Sequence, residues 1–275
     1  LLPIDQVLSA ESRAEPGVPP LGTLRLRHLS AALRAGWRDF LTHPFYGIAF
    51  AGFYVIAGWV MLWVSTASGT TFWLVLAAIG FPLIGPFAAT GLYEISHLEE
   101  RGRRIEPWHV VSVILEQGRR QLPSLCAVII VVFLFWFFLG HMIFALFMGH
   151  MPMVNVSTSL ETYVTGPGLA MFAFGTLVGA GFALLLYMIT VMAMPLLLDR
   201  EVDFVTAMIT SFTFVQRNPV VMLIWGVGLA GGTFLAMLPG FLGLLVVLPW
   251  LGHASWHLYR LARAVAEEGD AAPLS

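Results

Sequence analysis

Six polar residues stand at the ends of long apolar stretches, where chemistry could be done: Glu94, His97, Asp199, Asp203, His253 and His257. His253 and His257 are four apart, a spacing that lets two imidazoles of one helix face a single ligand. Glu94 and His97 are three apart and share a face in the same way. Brought together around a common axis, these groups would make a cation or proton site. Otherwise they are rim residues bonded to one another, to helix ends and to arginines. The second reading is the stronger, because the ends of membrane helices are polar by position. A further feature is GFPLIGPFAATGLYE (80–94), an apolar run interrupted by Pro82, Gly85 and Pro86 that closes on Glu94. Interior proline removes a helical hydrogen bond and clashes with the preceding turn. These three residues are therefore read as a helix break, and interrupted membrane helices are one pointer to transport sites.

Other chemistries lack their residues. The eight histidines include no pair at one depth on two apolar stretches, as axial haem ligation requires. Cys126 is the single cysteine and lies in an apolar run, which excludes a thiolate metal cluster. The chain contains no phosphate-binding loop, zinc-protease motif, nucleophile elbow or dinucleotide fingerprint. The expectation is a protein that is not an enzyme and has no cofactor, no resident metal and no nucleic-acid partner.

The elements that position these residues are membrane spans. Of 275 residues 58% are hydrophobic and 11% charged, against about 25% charged in soluble domains. Mean hydropathy is +0.83. Stretches of about 20 apolar residues can cross a bilayer, and six are read, at 45–65, 71–96, 124–149, 167–197, 219–238 and 240–258. All 14 basic residues are Arg, and on six spans every one falls on the same side. The positive-inside rule then places both termini in the cytoplasm. Residues 1–23 read as a flexible tail, 24–260 as one membrane domain and 261–275 as a second tail. Residues 1–23 do not resemble a cleavable signal peptide. Gly175-x-x-x-Gly179 and Gly228-x-x-x-Gly232 fit small-residue packing faces between spans. Asn155-Val156-Ser157 matches a glycosylation sequon, by chance if the host is bacterial.

An amphipathic stretch precedes each odd span, over about 24–43, 106–122 and 202–218, and leads into Pro44, Pro123 or Pro219. Each fits a helix lying in the membrane interface. In the first, Leu26, Leu29, Leu33, Trp37, Phe40 and Leu41 form the apolar side, with Asp39 elsewhere on the wheel. The even spans match in another way, because Pro86, Pro195 and Pro249 are each followed eight residues later by Glu94, Asp203 or His257. The chain thus reads as an all-α polytopic helix bundle: three parallel copies of an interfacial helix followed by a transmembrane hairpin.

GWRDFLTHPFYG, GFPLIGPFAATGLYEIS and MPLLLDREVDFVTAMITSFTFVQRNP resemble a family of uncharacterised bacterial inner-membrane proteins. Some of its members carry a cytochrome c oxidase subunit label. The resemblance covers about 30–260 and implies a six-span protein with no established activity. Its label adds a respiratory or photosynthetic complex as a class of partner, beside the lipid bilayer itself. The resulting expectation is a non-catalytic accessory subunit or assembly factor. The alternative is a transporter or channel for a small solute or ion, using the polar rim.

Overall fold

The computed structural model describes residues 15–69, 74–149 and 166–271. The sequon at Asn155 and most of the loop joining the third and fourth predicted spans lie outside the described residues. After a short strand β1 (Glu15–Pro16) come α1 (Leu26–Thr42), α2 (Pro44–Ser68), α3 (Leu74–Glu100), α4 (Pro107–Gln117) and α5 (Leu122–Met148). They are followed by α6 (Gly166–Thr190), α7 (Ala193–Asp199), strand β2 (Arg200–Glu201), α8 (Phe204–Arg217), α9 (Pro219–Met237) and α10 (Leu244–Ala271). Proline stands in the first turn of α2, α4, α5 and α9, where its missing N–H is not needed.

Among the described residues four segments are, by length and composition, long and apolar enough to cross a membrane: Pro44–Ser68, Leu122–Met148, Gly166–Asp199 and Pro219–Met237. Only 17% to 28% of each apolar window is buried, so most of their surface is left for lipid. The other two predicted spans fall on α3 and α10, which are helices but are not among these four. The buried core collects at one end of the bundle, where Leu29, Tyr93, Leu196, Phe214, Trp256 and Leu258 pack together.

Several expectations are corrected here. Helix α3 is unbroken through Pro82, Gly85 and Pro86. Proline is tolerated inside membrane helices, where neighbouring groups and local adjustment satisfy the backbone that it frees. The interruption lies instead in the fourth predicted span, at Val191–Met192 between α6 and α7. Pro195 has its steric conflict with residue 191, four positions earlier. Ser211 of α8 occupies the gap: its Oγ donates to Met188 O at 2.7 Å and accepts from Met192 N at 3.0 Å. One hydroxyl thus replaces the missing rung of the ladder, a recognised cause of helix interruption. Ser211→Ala should lower stability by about 1–3 kcal/mol, because two buried backbone groups lose their partner. Thermal unfolding in detergent checks this, and an unchanged midpoint would contradict it.

The tails are shorter than expected. Gly17 N donates to Glu201 O at 3.4 Å, Gly22 N to Ala262 O at 2.8 Å and Leu24 N to Asn218 Oδ1 at 2.8 Å. The chain is therefore tied down from β1 onward, and at the other end α10 continues to Ala271. Gly22 permits the contact, since a Cβ there would sit 2.7 Å from Ala266 N.

The three short helices α1, α4 and α8 form where amphipathic stretches are expected, with several of their large apolar residues turned outward and smaller ones packed inward. In α1 the buried set is Leu29, Ala32, Gly36, Asp39 and Phe40, while Leu26, Trp37 and Leu41 are exposed. In α4, Trp108 is 82% exposed and Leu115 is also outward, with Val110 and Gln117 inward. In α8, Val205 and Ile209 face out while Ala207, Ser211, Phe214 and Val215 face in. Small residues let helices approach closely, so Ala32 and Gly36 make the inward contact, which a hydrophobicity wheel undervalues. Neither Gly-x-x-x-Gly pair brings two backbones together. Gly179 packs on Trp136 and Gly232 on Leu251, whereas a Cβ at Gly228 would meet nothing within 4 Å.

Candidate functional site

The polar rim is built on the pairing of α1 with α10. A Cβ on Gly36 would overlap the Ala254 backbone, so the two helices touch there main chain to main chain. One turn earlier Trp250 Nε1 donates to Leu33 O at 2.9 Å. One turn later His257 Nε2 meets Asp39 Oδ2 at 2.7 Å. Residues 33, 36 and 39 therefore meet 250, 254 and 257 in step.

Asp39 is the hub, and it is 4% exposed. Ser96 Oγ of α3 donates to Asp39 Oδ2 at 2.6 Å and lies 2.8 Å from His253 Nδ1. His257 Nδ1 faces Glu100 Oε1 at 3.1 Å, and Arg260 Nε donates to Glu100 Oε2 at 3.0 Å. Ser96 and Glu100 are four apart on α3, as His253 and His257 are on α10, so the two helices present matched pairs. With Asp39 and Glu100 ionised, both nitrogens of His257 must donate, which holds the ring as the imidazolium. The chain His253–Ser96–Asp39–His257–Glu100–Arg260 thus binds three helices by alternating donors and acceptors.

Burial works against the Asp39 carboxylate, but hydrogen bonds from His257 and Ser96 and the histidine charges outweigh it and hold its carboxyl below the ordinary range. Glu100 follows the same rule, with burial opposed by the His257 hydrogen bond and the Arg260 charge. Folded-state pKa values below the unfolded ones of about 4 give stability that is present above that pH. It is lost as pH falls through the folded values. The unfolding midpoint in detergent should therefore drop most steeply below about pH 4, and a flat profile there would contradict the arrangement.

The remaining candidates do not join this chain. Glu94 Oε1 meets His109 Nε2 of α4 at 3.0 Å. His97 instead packs edge-on against Trp256, with ring centroids 5.1 Å apart. Glu94 and His97 therefore face different neighbours. Asp199 Oδ2 accepts from Tyr259 OH and Arg263 Nη1, both at 2.7 Å, with Arg200 Nε at 3.4 Å. Asp203 is the N-cap of α8, accepting from Thr206 N at 2.9 Å and Thr206 Oγ1 at 2.6 Å; those bonds lower its pKa. The six candidates thus belong to separate knots. Of them only His253 and His257 share one, and Asp39, Ser96 and Glu100 complete it. The signal in the sequence was the matched four-residue spacing on α3 and α10.

Serine, histidine and aspartate meet here without forming a nucleophile. A hydrolytic serine gives its proton to histidine and is open to substrate, whereas Ser96 is fully buried and donates to a carboxylate. Among the described residues no group of three or more His, Cys, Asp or Glu is placed to hold a metal ion.

A helical bundle with four membrane-length apolar segments and a charged knot at one end defines an integral membrane protein. Residues 73–199 match the model of a family described as predicted integral membrane protein (DUF2189). Over those residues the resemblance to an uncharacterised membrane-protein family is shown. The match takes in GFPLIGPFAATGLYE and ends at Asp199, so α8 lies outside it. No curated protein and no solved structure matches the chain.

Proposed function

We propose that this chain is a non-catalytic six-span protein of the bacterial inner membrane, acting as an accessory subunit or assembly factor beside a larger membrane complex. Helices α3 and α10 supply the two spans beyond the four apolar segments, and α1, α4 and α8 lie in the cytoplasmic interface. Their outward Trp37, Trp108, Leu115 and Ile209 support that placement, since aromatic and aliphatic residues seat such helices at the headgroup boundary. Both termini are then cytoplasmic, and the three hairpins run parallel.

The observation that carries the functional reading is the engagement of the rim. Asp39, Glu94, Glu100 and Asp199 each bind a cationic or imidazole partner within this chain, and Asp203 caps a helix. What the protein offers its surroundings is apolar surface, such as Val131, Phe135 and Phe138 on α5. Such a chain works by contact. Transport through the rim, the competing reading, draws no support from carboxylates already held in pairs. Purification from native membranes in mild detergent tests the proposal. A fixed-stoichiometry complex, with a respiratory or photosynthetic assembly the first to look for, supports it. Recovery of the chain alone, or as a homo-oligomer, contradicts it.

A further inference from the structure

A cavity of about 960 Å³ lies between α2, α3, α9 and α10. One wall follows α2 at helical spacing through Phe50, Tyr54, Gly58, Met61 and Ser65 to its C-cap, Gly69. At 1.5 Å per residue that wall is about 28 Å long, close to the roughly 30 Å of a bilayer's hydrocarbon core. The opposite walls run from Leu92 and Ser255, close to the charged knot, to Met237 and Phe241 at the far turn. The space is therefore a slot that runs along the bundle over much of the thickness of a membrane core.

Among the described residues no Asp, Glu, His or Arg lines the slot, and its wall is overwhelmingly carbon. Pockets for drug-sized ligands span about 300–1,000 Å³, so this one is at the upper end of that range, with a length that suits a chain better than a ring system. Ser65 Oγ on its wall is buried and has no hydrogen-bond partner. A buried hydroxyl without a partner costs about 1–3 kcal/mol, which a neutral hydrogen-bonding group in the slot would relieve. Gly85 also lines the slot, and neither packing nor backbone explains it. A Cβ there would come no nearer than 3.6 Å to another atom, the Tyr54 hydroxyl, and its φ is not positive.

We infer that the slot binds the long uncharged hydrocarbon chain of a membrane lipid, lying along the bundle with a neutral polar group near Ser65. The chain enters sideways from the bilayer, where such chains are the solvent. Phospholipid acyl tails and polyprenyl tails share this chemistry, and the inference is independent of the proposed accessory role.

The test uses the full chain in phosphatidylethanolamine–phosphatidylglycerol vesicles. One arm carries a phosphatidylethanolamine with a photoreactive diazirine in mid-acyl chain, and the other a diazirine-bearing polyprenol. After illumination the labelled residues are mapped by mass spectrometry. Labelling concentrated on Met61, Leu62 and Leu248 is expected in one arm at least, and the arm that gives it names the chain. Gly85→Leu and Ala88→Phe fill the slot and should each lose that labelling. Gly181→Leu adds bulk where a Cβ meets nothing within 4 Å and should keep it. Circular dichroism and gel filtration identify any variant that fails to fold, and the two filling variants are independent of each other. Labelling spread over all lipid-facing helices, or unchanged in a folded filling variant, would overturn the inference.

Discussion

Asp39→Ala lowers the stability of the folded chain by about 3–5 kcal/mol, the usual cost of removing one partner from a buried charge pair. The loss has three parts on different helices. His257 loses one of the two carboxylates that hold it as an imidazolium. Ser96 loses the acceptor of its hydroxyl, and His253 loses the serine orientation that presents an acceptor to its Nδ1. The contact between α1 and α10 then rests on Gly36 and Ala254 alone at this level. Asp39→Asn keeps the shape and one acceptor, so it should cost less. The order Ala worse than Asn, read from unfolding midpoints in detergent, separates lost charge from lost volume.

Gly36→Val has the second large effect. Its side chain has no space to enter, because even a Cβ overlaps Ala254 main-chain atoms. Relief requires α1 to move away from α10, and moving it stretches the Asp39–His257 bond one turn further on. Overpacking costs about 1–3 kcal/mol by itself, and part of the Asp39 contribution is lost with it. The measured loss should exceed that of the same substitution at Gly181, where the surroundings are open. Equal losses at the two sites would show that α1 and α10 are not in close contact.

Much of this architecture is legible in the sequence. Long apolar runs mark the membrane segments, and prolines mark where α2, α5 and α9 begin. Periodicity finds α1, α4 and α8 as separate helices. What it does not show is which residues pack inward, because hydrophobicity rewards Trp37 and Leu41 while the fold uses Ala32 and Gly36. In a bilayer the outward face can be apolar, so the largest residues need not point inward. The Pro82–Pro86 region is misread because proline count alone does not decide whether a membrane helix continues. Ser211 repairs the real interruption from another helix and gives no local sign of it. The hub of the rim was missed because Asp39 and His257 are 218 positions apart, and no local period links them. The acid also sat on the supposed polar side of its wheel, where a partner was not needed.

The central claim is that Asp39, Ser96, Glu100, His253 and His257 clamp α1, α3 and α10 through one coupled charged knot. A double-mutant cycle on Asp39→Asn and His257→Gln, read as unfolding free energies of the full chain in detergent, tests it most directly. Residues in one ion-pair network couple by about 0.5–3 kcal/mol, and a value in the upper half of that range is expected here. The double variant should then be little worse than either single one. Strict additivity of the two single losses would contradict the clamp.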